Sequence, residues 1–344
     1  MSFLSRLSVL FELLVYAALY FAFIGCDLLA QADHLEVPVE MKDLSQKLSV
    51  LKTFLLAFYV CLSMTRWWRL RTDGVGGIWS ANDSIATLLG VIYHSTKRVS
   101  PSSAANVLSA IERIRRYSAA SLYYFFLQCG QHGFDEDGLL RLGLLTQTEL
   151  QTMQSLPGSQ SKYLWAVIGT ECGEIANTLL ALGPKGLDPR LVAVWSDKLT
   201  DLWMRGRSGA GLTAMQLGCK LLFDYSAMVS LIIRVTMVSI IWVHAIQAAE
   251  SHSIDFESEH LHQSALTILA ELLPLLFYAL MHIAVVNFAI DAQSPFNDAE
   301  TAFPGCQYVN GLLEDFSILC NIDVKKEKGS MTAWRGNSGA GPHR

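Results

Sequence analysis

The sequence has few charges and no surplus of positive ones. Only 17% of its 344 residues are Asp, Glu, Lys or Arg, and the formal net charge is −5. A nucleic-acid-binding protein presents a basic face, so this balance argues against nucleic acid as a partner. The seven cysteines are odd in number, scattered, and without a C-x-x-C pair. That pattern fits neither a disulfide framework nor a zinc site, and we interpret the cysteines as reduced, mostly packed thiols.

Long apolar runs take the place of the missing charges. Hydrophobic residues make up 51% of the chain, which is too apolar for an ordinary soluble protein of this size. Four blocks each supply the roughly 20 apolar residues that cross a bilayer, and each must be helical to satisfy its own backbone. The predicted spans are residues 7–29, 44–64, 225–249 and 265–290. The first has no small-residue cleavage pattern, so we expect it to be retained rather than removed as a signal peptide.

Lysine and arginine between the spans predict an orientation. They cluster after span two, before span three and beyond span four, whereas the loops 32–46 and 249–263 are acidic. The positive-inside bias therefore places both termini and the segment 69–223 in the cytosol. Within that segment we expect helices where apolar residues recur with helical period, over 104–126, 145–156 and 161–182. The second of these opens with Thr146 and Thr148 and carries Glu149, which together are typical of a helix start.

Glycines suggest two interruptions in the segment 69–223. Residues 74–77 read Gly-Val-Gly-Gly, lack the Lys-Ser/Thr of a phosphate-binding loop and follow no strand, so we expect a turn. Residues 206–211 contain three glycines and are expected to break the helical pattern there.

One face of span two carries an aromatic stripe. Val50, Phe54 and Phe58 recur at i, i+4 and i+8. Such a stripe more often packs against another helix than lines a pore. If it lines a pore, the electropositive edges of the phenylalanine rings suit a weakly hydrated anion, and the constriction can gate by dewetting. Lys52 lies two positions from both Val50 and Phe54, so we expect it to point away from the stripe.

Every span also carries an ionisable side chain, which is costly in lipid and marks either structural pairing or function. The spans contain, in order, Glu12, Lys52, Arg234, and Glu271 with His282. The sequence leaves the choice between pairing and function open. A haem held by His244 and His282 is unfavourable, because the two residues differ in depth by roughly 15–20 Å at 1.5 Å rise per residue.

Short motifs follow one another in a fixed order along the chain. At the end of span two, Phe58-Tyr59-Val60 is followed by Arg66-Trp67-Trp68, and the last three residues also suit a membrane interface. The other motifs are Arg115-Arg116-Tyr117-Ser118-Ala119, Gly143-Leu144-Leu145-Thr146-Gln147-Thr148-Glu149, Phe223-Asp224-Tyr225 and Ser294-Pro295-Phe296. Together these motifs resemble the bestrophins, a family of pentameric anion channels, and the end of span two is similar to the animal-type pattern F-Y-V-x-L-x-x-x-R-W-W. The similarity covers residues 7–303.

The resemblance implies an all-α membrane protein with four transmembrane helices per subunit, extended by cytosolic helices and assembled as a homopentamer in the lipid bilayer. It implies a channel domain over 1–303, followed by a partly disordered C-terminal tail over 304–344. The implied function is passive conduction of chloride and other monovalent anions such as bicarbonate, with no enzymatic activity. We expect the plasma membrane as the location.

The resemblance also implies roles for particular residues. Val50, Phe54 and Phe58 match the three residues that narrow the neck of the pore in each subunit. The residue after Asp188-Pro189 forms a second, cytosolic aperture, which is Arg190 here, or Leu191 if the register slips by one.

The calcium clasp of animal bestrophins is reduced in this sequence. Its acidic residues are at most Asp291, Asp298 and Glu300, and Ala299 and Ala302 stand where clasp aspartates are expected. The chain starts close to the first span, so we also expect the N-terminal carbonyl donor to be missing. We therefore expect Ca²⁺ activation to be weakened or lost, and no other cofactor. The alternative function is a non-conducting accessory or scaffold subunit that assembles with a complete bestrophin paralogue.

Overall fold

The computed structural model describes most of the chain, and every described segment of regular structure is helical. The described residues are 7–29, 39–183, 186–218, 223–252, 261–292, 295–296 and 303–320. No strand occurs among these residues, which confirms the predicted all-α class. Their helices are α1 Leu7–Leu29, α2 Val39–Arg69, α3 Gly76–Val99, α4 Pro101–Gln128, α5 Glu136–Arg141, α6 Gln147–Ser155, α7 Gln160–Leu182, α8 Pro189–Gly218, α9 Phe223–His252, α10 Leu261–Ala292 and α11 Gly305–Leu319, with a π-helical turn over Leu70–Val75.

Four helical segments are long and apolar enough to cross a membrane, and each overlaps one predicted span. They correspond to α1, α2, α9 and α10. The second candidate segment runs on to Val99, because the π-helical turn joins α2 to α3 without a break in the helix. About 20 residues are enough to cross the hydrocarbon core, so the apolar part of α2 is the span. The protein is therefore an all-α membrane protein.

The chain divides into two compact units. The span unit comprises residues 1–65 and 220–293, and the helical unit comprises residues 66–219 and 294–344. In the span unit, α1 packs against α9 and α10. Its buried core is apolar and rich in tyrosine, and includes Tyr16, Tyr20, Tyr59, Ile241 and Ala245.

Two of the ionisable residues in the spans form an ion pair. Arg234 Nε on α9 donates to Glu12 Oε1 on α1 over 3.1 Å, and the Tyr16 hydroxyl donates to the same oxygen over 3.2 Å. A charge in a spanning helix is tolerated when it finds such a partner. Structural pairing therefore accounts for Glu12 and Arg234.

The helical unit is built around α4 and α7, with α8, α3 and α11 packed beside them. Its core combines leucine with aromatic and β-branched side chains, including Trp165, Phe125, Phe126 and Ile78. Helix α11 lies in the segment that the sequence analysis assigned to a C-terminal tail, yet Phe316 is fully buried and Ser317 accepts a hydrogen bond from Arg115 on α4 over 3.2 Å. The predicted domain end at residue 303 stays a prediction.

Glycines and tryptophans interlock α7 and α8. The ring of Trp165 on α7 occupies the space that a Cβ at Gly206 would need, and the ring of Trp203 on α8 does the same at Gly169. The indole Nε1 of Trp203 also donates to the Trp165 carbonyl oxygen over 2.5 Å. The expected break at 206–211 is therefore wrong, because α8 continues through it. Its glycine makes room for a ring instead of ending the helix.

The expected turn at residues 74–77 is also wrong, for a related reason. Gly74 lies in the π-helical turn and Gly76 begins α3. A Cβ at Gly209 of α8 would lie 2.9 Å from the Gly74 carbonyl oxygen, and a Cβ at Gly74 would collide with the Thr213 side chain. These glycines allow two helical segments to approach to backbone contact.

The surroundings of Asp83 on α3 disfavour ionisation of its carboxyl group. Helix α11 packs closely beside α3, and the Cys320 thiol donates to the Ala86 carbonyl oxygen over 3.1 Å. Partial burial and the neighbouring negative charge of Asp315 on α11 raise the pKa of Asp83 to about 6. An unfolded aspartate has a pKa of about 3.9, so the folded protein binds the proton more tightly. The contribution of Asp83 to stability is therefore present below about pH 4 and is lost as the pH rises to about 6.

We expect Asp83→Asn to raise the melting temperature of the detergent-solubilised protein at about pH 7, and to change it little at about pH 4. The amide removes the charge repulsion with Asp315 at neutral pH, where wild-type Asp83 is ionised. Asp197→Asn, at an exposed position of α8, is the matched control and should shift the melting temperature equally at both pH values. A shift for Asp83→Asn that does not depend on pH contradicts the prediction.

Candidate functional site

The predicted neck residues lie on an exposed face of α2. Val50, Phe54 and Phe58 are 68%, 67% and 49% exposed, respectively. Phe58 makes an edge contact with the Tyr225 ring, with centroids 6.2 Å apart. The described part of this chain therefore leaves most of the stripe uncovered. The stripe is available to lipid, to a partner subunit or to a pore, and its role as a neck stays a prediction.

Lys52 lies on the opposite side of α2, as predicted. Its side chain is fully buried, and its Nζ donates to the hydroxyl oxygen of Tyr278 on α10 over 2.5 Å. The Tyr278 ring in turn packs against His282, with centroids 4.2 Å apart, and His282 Nδ1 lies 2.8 Å from the Tyr278 carbonyl oxygen. Lys52, Tyr278 and His282 thus form a polar cluster between α2 and α10, in which Lys52 is buried and the other two side chains are half-buried. Lys52 and His282 were both candidates from the sequence, but no sequence pattern indicated that they lie in one cluster.

The residues that end span two have different surroundings. Trp68 is exposed, whereas the Trp67 ring packs against Phe303 with centroids 5.5 Å apart. Arg66 donates to the Gln216 carbonyl oxygen of α8. Arg66 and Trp67 therefore help to hold the helical unit together, and their role at a membrane interface stays a prediction.

The predicted aperture residues lie at the start of α8. Arg190 and Leu191 are both exposed, and the Arg190 backbone N–H donates to Asp188 Oδ1 over 2.9 Å. An aspartate that caps the first turn of a helix fixes where that helix begins. The structure thus accounts for the Asp188-Pro189 dipeptide as a helix start, and no contact of this chain tests the aperture.

Of the three acidic residues assigned to a reduced calcium clasp, the structure describes one. Asp291 is half-buried in the last turn of α10, whereas Asp298 and Glu300 lie outside the described residues. Within the described ranges, no three His, Cys, Asp or Glu side chains come together in a way that could hold a metal ion. Phe296, from the Ser-Pro-Phe motif, is fully buried against Phe126 with centroids 5.0 Å apart, so it serves as an anchor in the aromatic core.

A cavity of about 260 Å³ lies between α4, α6 and α7. Glu149 at its edge accepts hydrogen bonds from the Tyr117 hydroxyl over 2.5 Å and from the Thr146 backbone N–H over 2.7 Å. Burial opposes ionisation of Glu149, but these hydrogen bonds and the charge of Arg116 outweigh it and lower its pKa. The same pairing closes the capping box at the start of α6, which confirms the helix start expected at Thr146 and Glu149. Glu149 therefore has a structural task.

No protein-family model matches the sequence, and neither does any curated protein. Solved structures do match. The crystal structure of a bacterial bestrophin homologue from Klebsiella pneumoniae has a TM-score of 0.65, covering 91% of this chain and 98% of that chain at 13% identity. Two point variants of a bestrophin homologue from the same organism have TM-scores of 0.63 and 0.64, covering 90% and 91% of this chain and 98% and 99% of theirs, at 13% and 14% identity.

This chain has a bestrophin-like fold. The likeness covers nearly the whole length of both chains, and it confirms the fold that the motifs around residues 58–68 and 294–296 predicted. It is a likeness of fold at low identity. The roles of the neck, aperture and clasp residues therefore stay predictions on a confirmed bestrophin-like scaffold.

Proposed function

We propose that this protein is a passive anion channel, formed by five identical subunits around a pore that α2 lines. The observation that carries the proposal is the stripe of Val50, Phe54 and Phe58, which remains largely exposed within a bestrophin-like fold. Five copies related by cyclic symmetry would bring five stripes together at one axis. They would form a hydrophobic neck of three stacked rings of side chains.

The neck would select anions without binding them tightly. Phenylalanine ring edges carry partial positive charge, and an apolar constriction favours ions that shed water easily. Chloride and other monovalent anions such as bicarbonate fit these requirements. Because conduction requires that an ion leave as readily as it enters, weak interactions with ring edges support flux better than a charged pocket.

A second narrowing of the pore is assigned to Arg190, with Leu191 as the alternative. Both side chains are exposed at the start of α8, where they can face an assembly axis. A ring of five arginines would attract anions from the cytosol. We further propose that the protein resides in the plasma membrane with both termini in the cytosol, in keeping with the Lys/Arg bias of the loops.

We propose that the channel conducts without Ca²⁺. The clasp candidates are reduced to Asp291, Asp298 and Glu300, with alanine at positions 299 and 302. A Ca²⁺ site takes six to eight oxygen ligands, so each lost carboxylate weakens it. The same reduction favours the second candidate function, a non-conducting subunit that assembles with a complete paralogue.

Anion flux into liposomes that contain the purified protein tests the proposal, with and without Ca²⁺. We expect flux under both conditions, at equal rates, from a protein whose mass in detergent corresponds to five subunits. Flux that requires micromolar Ca²⁺ overturns the proposal that conduction is independent of Ca²⁺, but the proposal of an anion channel then still stands. No flux from a verified pentamer favours the accessory subunit, and co-purification with a larger homologue would support it.

A further inference from the structure

Lys52 is a cation with no exposed surface inside the span unit. Its Nζ lies 2.5 Å from the Tyr278 hydroxyl oxygen and 4.4 Å from the centroid of the same ring. The ammonium therefore contacts both the hydroxyl group and the ring of Tyr278. Tyr278 thus accepts a hydrogen bond from Lys52 through its hydroxyl oxygen.

The charge of Lys52 has no counter-ion in the part of the chain that the structure describes. Arg234 in the same unit is paired with Glu12 over 3.1 Å, whereas no carboxylate pairs with Lys52 among those residues. A paired charge acts as a dipole whose field decays quickly. An unpaired charge in a medium of low dielectric constant acts over a longer distance. The field of Lys52 therefore extends beyond its immediate contacts.

Lys52 lies close enough to the proposed neck residues for its field to act on the pore. Each helical residue rises 1.5 Å, so its Cα lies within about 3 Å in height of those of Val50 and Phe54. Two steps of about 100° turn its side chain to the far side of the helix from both residues. Lys52 thus lies on the far side of α2 from Val50 and Phe54, about one helix diameter away and at the same height along the helix axis.

We infer that Lys52 is the charge behind the neck that makes the pore prefer anions over cations. The inference rests on the proposed channel function. From behind the apolar wall, Lys52 cannot contact a permeating ion, so it adds no tight site that would block flow. It raises the local concentration of anions in the neck through the potential of five symmetric charges. Lys52 is therefore a specificity-determining residue outside the pore surface.

The test is the anion-to-cation permeability ratio of Lys52→Met, measured from reversal potentials in reconstituted bilayers under a salt gradient. Methionine has nearly the same length and no charge. We expect the ratio to fall at least tenfold, because one charge at about 10 Å and an effective dielectric constant of about 20 already changes the local concentration of a monovalent ion by more than tenfold, and five such charges would surround the proposed neck. Lys52→Arg keeps the charge and should retain the wild-type ratio.

Two controls separate the charge from the structural contact. Tyr278→Phe removes the hydroxyl that Lys52 contacts and keeps the cation, so it should leave the ratio unchanged. Lys47→Met removes an exposed lysine of the same helix, which lies 3.2 Å from Asp43, and should also leave it unchanged.

The outcomes distinguish this inference from the proposed function. A conducting wild type with an unchanged ratio in Lys52→Met overturns the inference and leaves the channel proposal standing. An equal loss of selectivity in Tyr278→Phe also overturns it, because the contact and not the charge would then matter. If neither Lys52→Met nor Lys52→Gln assembles as the wild type does, Lys52 is a structural anchor and the inference is overturned. A wild type that passes no ions overturns both proposals.

Discussion

The Phe54→Ala, Phe58→Ala double variant is expected to pass anions several-fold faster than the wild type. Each substitution removes a phenyl ring from every subunit, so the proposed neck loses ten rings in a pentamer. A wider, less apolar constriction stays wetted, and the barrier for an anion falls. The measurements are the flux rate into liposomes and the single-channel conductance in planar bilayers.

The matched control for the neck is Phe11→Ala, Phe277→Ala. These phenylalanines lie on α1 and α10. Their side chains are 67% and 64% exposed, which is close to the 67% exposure of Phe54. The control removes the same number of rings from exposed faces of the spans outside α2. It should leave conductance at the wild-type level. Equal effects in both double variants, or none in the neck variant, would contradict the assignment of the α2 stripe to the pore.

The sequence predicted the elements whose signals are strong and local. Each of the four spans lies inside a helix of the structure, because a bilayer demands a long apolar run and a helical backbone. The start of α6 was also predicted, since Thr146 and Glu149 form a capping box within four residues. Such signals depend on neighbours in sequence and need no knowledge of the tertiary fold.

The errors concern residues whose role depends on a distant partner. Glycine marks both turns and close helix contacts, and from the sequence a turn was expected at residues 74–77 and a break in the helix at residues 206–211. The structure shows that Trp165 fills the space beside Gly206, a pairing across 41 positions that no local pattern reveals. The contact between Lys52 and Tyr278 spans 226 positions and was missed for the same reason. The only sequence signal for this contact was that α2 and α10, two apolar spans, each contain a polar side chain that needs a partner.

The assembly is the part of the site that one chain shows least. The exposed stripe of α2 has the same appearance whether lipid, a neighbouring subunit or a pore covers it. Fivefold closure would decide among these, since a cyclic assembly turns one face per subunit toward the axis. The stripe became a candidate neck through its motif context and its exposure within a bestrophin-like fold, and neither observation alone would distinguish it from a packing face.

Gly206→Ala and Gly169→Ala are each expected to lower the melting temperature of the protein by several degrees. The new Cβ would overlap the ring of Trp165 or Trp203, so α7 and α8 must separate. Overpacking of this kind costs about 1–3 kcal/mol. The control is Gly173→Ala on α7, where a Cβ meets nothing within 4 Å. That change should be neutral or stabilising by up to about 1 kcal/mol, because alanine is the better helix former.

The reciprocal arrangement also predicts which residue compensates. Trp165→Leu alone opens a cavity beside Gly206 and should be strongly destabilising, as loss of a large buried aromatic side chain is. In the double variant the Cβ of Gly206→Ala enters the space that the ring has left, so the double variant should lose less stability than the sum of the two single losses. Melting temperatures of the four proteins form a double-mutant cycle that measures this coupling. If the losses of stability are additive, Trp165 and Gly206 do not share that space. If the double variant loses less than the sum of the two single losses, the ring and the glycine form the interlock that lets α8 stay helical through residues 206–211.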